Sequence, residues 1–165
     1  MAESFSPTAL PTEKSRRYAE LLEEIQSVIK GEPNRVARMA TVASMLAASF
    51  DTFFWSGFYV VDSDRREELV VGPYQGTLGC LRIRFGQGVC GTAAARRETI
   101  IVPDVEAFPG HIACDSRSRS EIVAPVFDAG GALIAVLDID STELAAFDEV
   151  DRAGLEAILR AAFSA

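Results

Sequence analysis

The pattern of apolar and polar positions divides the chain into a helical beginning, a strand-rich middle and a helical end. From Ser15, apolar residues recur every three or four positions until Gly31, which predicts an amphipathic helix and its stop. Helical spacing begins again near Asn34, and a closing helix is predicted from about Ala145. Two helices should therefore precede the strands, and one should follow them.

The middle of the chain shows the alternation of strands. Aromatic and β-branched residues dominate "FFWSGFYVVD" and "EELVVGPY", and the charged stretch "DSDRRE" between them predicts a hairpin. Shorter strands are predicted in "CLRIRF" and "TIIV", and two apolar strands surround the turn "DAGG" in "EIVAPVFDAGGALIAVLDID". We therefore expect an α+β domain with a central, mostly antiparallel sheet and N-terminal and C-terminal helices packed on it.

Two connections between these elements are candidates for function. The segment "GQGVCG" matches the glycine spacing of dinucleotide-binding loops, but the strand before it alternates arginine with apolar residues and no repeated βα units surround it. A tight turn with close backbone approach at Gly86, Gly88 and Gly91 is the favoured interpretation. The segment from Pro103 to Ser120 is long for a connection, which favours a binding or active-site role.

Charge and length narrow the function classes. The chain has 165 residues, which suits one domain, and its net charge of −8 disfavours nonspecific attraction to nucleic acid or to an anionic membrane. No apolar run approaches the ~20 residues of a spanning helix, and "MAESFSPTALPTEKSRR" lacks the pattern of a signal peptide. We expect a cytoplasmic protein that binds neither nucleic acid nor membrane.

The three cysteines, Cys80, Cys90 and Cys114, are the candidates for reactive chemistry. Their spacing contains no C-x-x-C pair and the chain has a single histidine, so no metal site and no cofactor are predicted. A lone cysteine is more often a small buried hydrophobe, but each of these lies in or beside a polar or glycine-containing loop. If they line one region, an attacking thiol and resolving thiols are available. His111 lies three residues before Cys114, a spacing that permits but does not establish contact.

Carboxylates and aromatic residues form the second group of candidates. Glu121 opens one late strand, and Asp138 and Asp140, two positions apart near the end of the next, should share a face. They are either solvated strand-end charges or a receptor for an ammonium group, and a close pair can share a proton. Trp55 and Tyr59, four apart on a predicted strand, form either a core cluster or the wall of a small-molecule pocket.

Taken together, the stretches "WSGFYVVD", "GPYQGTLGC", "IRFGQGVCGTA", "VPDVEAFPGHIACDSRSRSEIVAPV" and "AVLDIDS" resemble the free methionine-(R)-sulfoxide reductases, which are enzymes of the GAF fold. The resemblance runs from about Ser15 to the closing helix. It implies one GAF-like catalytic domain over residues 15–165. Residues 1–14 contain Pro7 and Pro11 and little apolar periodicity, which predicts an N-terminal arm. An ordinary GAF sensory domain would share the glycine turn and the strand order, but not the three cysteines with the "HIACD" loop.

The resemblance also implies a role for each candidate residue. Cys114 matches the attacking cysteine, Cys80 the cysteine that most often resolves it, and Cys90 a third cysteine that can assist. Trp55 and Tyr59 match the aromatic residues that enclose the methyl end of the substrate. Glu121, Asp138 and Asp140 match the acidic residues that bind its amino group and assist at its sulfoxide.

The implied activity is reduction of free L-methionine-(R)-sulfoxide to L-methionine. It proceeds through a sulfenic acid and an intramolecular disulfide, which an external dithiol such as thioredoxin reduces. A homodimer is compatible with this fold. Two alternatives remain at this point: a non-enzymatic GAF module that senses a small ligand, and a general thiol redox sensor.

Overall fold

The computed structural model describes residues 12–165, and it forms a six-stranded sheet with helices on both faces. The strand order is β3-β2-β1-β6-β5-β4, and all five neighbouring pairs are antiparallel. The helices are α1 (Glu13–Ile29), α2 (Arg35–Ser49), α3 (Gly88–Arg96) and α4 (Glu149–Leu159). The strands are β1 (Trp55–Val61), β2 (Glu68–Gln75), β3 (Arg82–Arg84), β4 (Ile100–Val102), β5 (Ser120–Phe127) and β6 (Leu133–Ser141). The predicted α+β class and its antiparallel sheet are confirmed.

Capping side chains explain where the helices begin. The side chain of Asn34 accepts a hydrogen bond from the backbone N–H of Ala37 at 3.1 Å, so α2 begins where the sequence predicts. Helix α1 begins at Glu13, and the predicted arm over residues 1–14 thus ends inside its first turn, while residues 1–11 lie outside the described residues. Within residues 12–165, none of the helices combines enough length with enough apolar character to cross a membrane.

The closing helix starts later than the predicted Ala145. Ala145 has a backbone φ of 50°, in the left-handed region, so it cannot belong to a right-handed helix. A capping box between Asp148 and Asp151 instead starts α4 at Glu149. The helix is followed by a π-helical turn over Arg160–Ser164.

The glycine-rich segment forms the tight turn that the sequence favours. Gly86 and Gly88 have φ angles of +82° and +61°, a conformation that glycine adopts without strain. A Cβ atom at Gly91 would collide with the carbonyl oxygen of Arg84, so the first turn of α3 lies directly on the end of β3. The segment therefore brings α3 close to the sheet.

The two faces of the sheet have different contents. Helices α1, α2 and α4 cover one face and close an apolar core that includes Phe58, Leu137 and Ile139. Helix α3 and the connection over residues 103–119 lie on the other face, where a second apolar cluster includes Trp55 and Tyr59. That second face carries the candidate site.

Candidate functional site

A cavity lies on the α3 face of the sheet, with about 510 Å³ of empty space when its open mouth is counted. Strands β1, β5 and β6 form its floor. The start of α3, the connection over residues 103–119 and the β2–β3 connection at Leu78 and Gly79 form its walls. Seven of the eight candidate residues line it, and they are Trp55, Tyr59, Cys90, Cys114, Glu121, Asp138 and Asp140. The eighth, Cys80, is bonded to one of them.

A disulfide joins Cys80 to Cys114, which are 34 residues apart in sequence. Their Cα atoms are 5.5 Å apart, within the ordinary range for such a bond. Cys114 is an exposed residue of the long connection, whereas Cys80 is half-buried and packs against the second apolar cluster. The bond therefore ties the β2–β3 connection to the long connection at the edge of the cavity.

Cys90 is the third cysteine, and it has no disulfide partner. It is buried in the first turn of α3, with its Sγ atom 4.0 Å from Oε1 of Glu121. Burial, followed by the nearby Asp138 and Glu121, raises the pKa of this thiol. Cys90 is therefore protonated at neutral pH, in contrast to the thiolate that nucleophilic attack requires.

Strand register brings the three carboxyl groups to one face. Glu121 lies directly opposite Asp140 across β5 and β6, and Asp138 lies opposite Gly57 on β1. Glu121 and Asp138 are each 5% exposed, so the interpretation of Asp138 as a solvated strand-end charge is wrong. The shared face of Asp138 and Asp140, expected from their spacing, is present.

Burial raises the pKa of Glu121, Asp138 and Asp140 well above the usual values, and their proximity to one another raises each pKa further. Among the described residues, the Oδ1 atom of Asp138 is buried without a hydrogen-bond partner. A buried unpaired carboxyl is costly, and a cationic ligand would stabilise its charged form. Such a group can also keep its proton at neutral pH and donate it as an acid.

One thiol and two carboxyl groups of the cavity lie close enough together to hold a metal ion. Cys90, Glu121 and Asp138 each place one ligand atom within 4.8 Å of the others, and thiolate with carboxylates is chemistry that zinc accepts. The same carboxyl groups suit an ammonium group equally well. The expectation that the protein needs no metal stays a prediction.

Aromatic rings form one wall of the cavity. The indole of Trp55 stacks on Tyr59 and Tyr74, with ring centroids 5.7 Å and 5.0 Å apart, and its Nε1–H donates to the carbonyl of Thr77 at 2.8 Å. A Cβ atom at Gly57 would lie 2.7 Å from Cη2 of Trp55, so the indole lies over bare backbone. Trp55 and Tyr59 are at once core residues and a wall of the cavity, which unites the two interpretations of this pair.

Sequence reasoning did not identify the partner of His111. Its Nε2 atom lies 3.4 Å from Oε2 of Glu121, and burial lowers the pKa of the imidazole, so it is neutral at neutral pH. The three-residue spacing between His111 and Cys114 draws attention to the cysteine. That spacing gives no information on the contact between His111 and Glu121, which lies on another element.

A second group that sequence reasoning missed holds the long connection in place. Asp115 accepts hydrogen bonds from the guanidinium of Arg117 and from Thr77 Oγ1, both at 2.8 Å, and these bonds lower the pKa of its carboxyl. The Arg117 guanidinium lies 4.8 Å from the ring centroid of Phe54. In the sequence, the tract "SRSRS" over residues 116–120 indicates only basic charge, whereas in the structure its Arg117 orders the wall of the cavity.

Comparisons with known proteins agree with this geometry. The GAF domain family matches residues 39–165. "GAF domain-containing protein A" of Dictyostelium discoideum is 50% identical over 89% of this chain and 90% of its own. The free methionine-R-sulfoxide reductase of Escherichia coli is 40% identical over 88% of this chain and 86% of its own. The X-ray structure of free methionine-R-sulfoxide reductase from Neisseria meningitidis, in complex with its substrate, superposes with a TM-score of 0.86 at 46% identity, over 94% of this chain and 92% of that one.

Proposed function

We propose a thiol–disulfide mechanism for this chain, which belongs to the GAF-domain family and, within it, to the free methionine-(R)-sulfoxide reductases. The chain is an oxidoreductase that reduces free L-methionine-(R)-sulfoxide to L-methionine. The observation that carries the mechanism is the Cys80–Cys114 disulfide at the edge of a cavity floored by buried carboxyl groups.

The first step is attack by the Cys114 thiolate on the sulfur of the sulfoxide. Oxygen passes from the substrate sulfur to the Cys114 sulfur, so methionine is released and Cys114 becomes a sulfenic acid. The oxygen needs a proton as its bond to the substrate sulfur breaks. Glu121, Asp138 and Asp140 supply carboxyl groups whose raised pKa suits a proton donor at neutral pH.

The second step is attack by the Cys80 thiolate on the sulfenic sulfur, which releases water and forms the disulfide. The 5.5 Å separation of the two Cα atoms supports this choice of resolving thiol. We assign Cys90 the assisting role, because its thiol lines the same cavity. An external dithiol such as thioredoxin then returns the pair to thiols, as the reducing cytoplasm would allow.

Recognition of a free amino acid follows from the acidic floor of the cavity. In the proposed complex, the carboxylates bind the ammonium group, while Trp55 and Tyr59 enclose the methyl end of the substrate. A methionine sulfoxide inside a peptide has no ammonium group, so its nitrogen would leave the carboxylates unpaired. We further propose that residues 15–165 belong to one catalytic domain, whose first element is α1, and that the protein forms a homodimer.

The test is consumption of each epimer of free methionine sulfoxide with dithiothreitol as the reductant, by the wild type and by Cys114→Ser. We expect loss of the R epimer alone, abolished by the substitution. Methionine sulfoxide acetylated at its nitrogen serves as a second substrate, and it should react poorly because its ammonium charge is gone. Turnover of neither epimer by folded, fully reduced protein would overturn the proposal and favour a ligand-sensing GAF module.

A further inference from the structure

Exposed apolar side chains surround the disulfide. Six large hydrophobic residues are exposed in the part of the chain that the structure describes, and three of them lie within two positions of a bonded cysteine. Leu78 is 79% exposed, Leu81 is 72% exposed and Ile112 is 38% exposed. The disulfide brings the segments that carry them together, and we call these three residues the disulfide rim.

The charged groups beside the rim are already paired. Asp115, next to Cys114, is bonded to Arg117 and Thr77. Arg82, next to Leu81, forms ion pairs with Asp62 and Glu68. The surface around the disulfide therefore offers apolar contact with few uncompensated charges, and exposed apolar surface of this kind marks interaction sites.

The two bonded sulfurs do not have equal access. Cys114 lies on an exposed segment, with Ala113 beside it also exposed. Cys80 is half-buried, and it packs against the second apolar cluster, on the α3 face of the sheet. Because thiol–disulfide exchange requires a thiolate to reach the attacked sulfur, access favours Cys114.

We propose that the disulfide rim is the docking surface for a protein dithiol of the thioredoxin type, which attacks the sulfur of Cys114. The inference rests on the proposed function, because it concerns the step that regenerates the thiols. The disulfide at the centre of the apolar surface identifies the chemistry of the partner. A small charged thiol would gain little from three exposed aliphatic side chains, whereas a protein can bury them.

The exchange transfers two electrons. The partner's first thiolate forms a bond to the Cys114 sulfur, and the Cys80–Cys114 bond breaks, so Cys80 leaves with the electron pair and takes a proton from water. The partner's second thiolate then attacks its own first sulfur and releases Cys114 as a thiolate. The partner ends as a disulfide, and the Cys80–Cys114 pair ends fully reduced.

Leu81→Ser tests the docking surface, because Leu81 belongs to the rim but does not line the cavity. Turnover of free methionine-(R)-sulfoxide is measured with varied thioredoxin, recycled by NADPH and thioredoxin reductase, and separately with dithiothreitol. We expect the KM for thioredoxin to rise about tenfold, as for loss of a contact of about 1.4 kcal/mol. The kinetics with dithiothreitol should stay within about twofold of the wild type, since a small thiol needs no docking surface.

Val28→Ser is the matched control, since Val28 is 62% exposed on α1, away from the α3 face. It should leave the KM for thioredoxin unchanged. An unchanged KM in Leu81→Ser, or an equal rise in both variants, would overturn the docking surface. Absence of dithiothreitol-driven turnover in the wild type would instead overturn the proposed function, so the two failures are distinct.

The attacked sulfur is identified by trapping. A thioredoxin whose second active-site cysteine is replaced by serine cannot complete the exchange, so it stays bonded to the sulfur that it attacked. The wild-type chain in its disulfide form is incubated with this variant, and the cross-linked peptide is sequenced by mass spectrometry. A cross-link to Cys114 supports the proposal, and a cross-link to Cys80 overturns the assignment of the attacked sulfur.

Discussion

Strand β6 has two faces, and neighbouring residues on it meet opposite environments. Leu137 and Ile139 are fully buried in the apolar core beneath α1, α2 and α4. Asp138 and Asp140, which alternate with them, face the cavity. The apolar pair gains free energy from burial, about 1.5–3 kcal/mol for each such side chain. The acidic pair is buried at a cost, which appears as a raised pKa and as an unpartnered carboxyl oxygen.

The contrast teaches that stability and activity are divided between the faces of one sheet. The face covered by α1, α2 and α4 can be packed tightly, because no ligand has to enter it. The carboxyl groups of the α3 face must remain without partners until the ammonium group of the substrate binds, since groups that already bind one another would not bind a ligand. Substitutions on the two faces should therefore affect different measurements.

Asp138→Asn should give the largest effect, a fall in kcat/KM for free methionine-(R)-sulfoxide of about 10²- to 10⁴-fold, because the amide provides neither a negative charge nor an acidic proton. The free energy of unfolding should stay unchanged or increase, because one fewer carboxyl then has to be buried beside Glu121 and Asp140. Steady-state kinetics with dithiothreitol and urea unfolding measure the two quantities. Retained activity would show that Asp138 has no part in the reaction.

Leu137→Ala should show the opposite pattern. It should lower the free energy of unfolding by about 2–5 kcal/mol through lost burial and a cavity. The kcat/KM of the protein that remains folded should change little, because Leu137 points away from the cavity. Urea unfolding and kinetics at a temperature well below the midpoint are the measurements, and a loss of activity as large as that of Asp138→Asn would break the comparison.

The pH dependence of stability should differ between Glu121→Gln and the wild type. The pKa of Glu121 in the folded protein lies above its unfolded value of about 4.5, so its stabilising contribution is complete below pH 4.5 and is lost as the pH rises toward the folded pKa. In that window the wild type should lose up to about 1.4 kcal/mol per pH unit relative to the glutamine variant. Urea unfolding of both proteins between pH 4.5 and 8 measures the difference, in which the titrating groups distant from Glu121 cancel. A difference that is flat with pH would contradict the raised pKa.

Two glycines provide the mildest test. A Cβ at Gly57 would collide with Trp55 on the cavity face, and a Cβ at Gly154 would collide with the ring of Tyr18 beneath α4. Each substitution to alanine should cost about 1–3 kcal/mol of stability through overpacking. Only Gly57→Ala should also raise the KM for the substrate, because it displaces a wall of the cavity. An equal rise in KM for Gly154→Ala would show that the faces are coupled.

The sequence predicts the elements well because local signals set them. Asn34 is a capping residue, and the period of two along β6 places Asp138 and Asp140 together. The start of α4 at Glu149 does have a local signal, because Asp148 is a capping residue, whereas the left-handed backbone angle of Ala145 has none. The neighbours of Glu121 depend on the register of β5 against β6, which the sequence does not set locally. The hydrogen bond from Thr77 to Asp115 likewise joins residues that are distant in sequence. The pairing of Cys80 with Cys114 follows from the family resemblance, whereas their spacing leaves every pairing open.

The disulfide also acts on the entropy of the chain. Its formation closes a loop between residues 34 positions apart, which in the loop-closure picture removes about 4 kcal/mol of conformational entropy from the unfolded state. Each catalytic cycle forms this cross-link once and breaks it once. The oxidised protein should therefore resist unfolding and proteolysis more than the reduced protein, so that the state awaiting its reductant is also the state best protected from degradation.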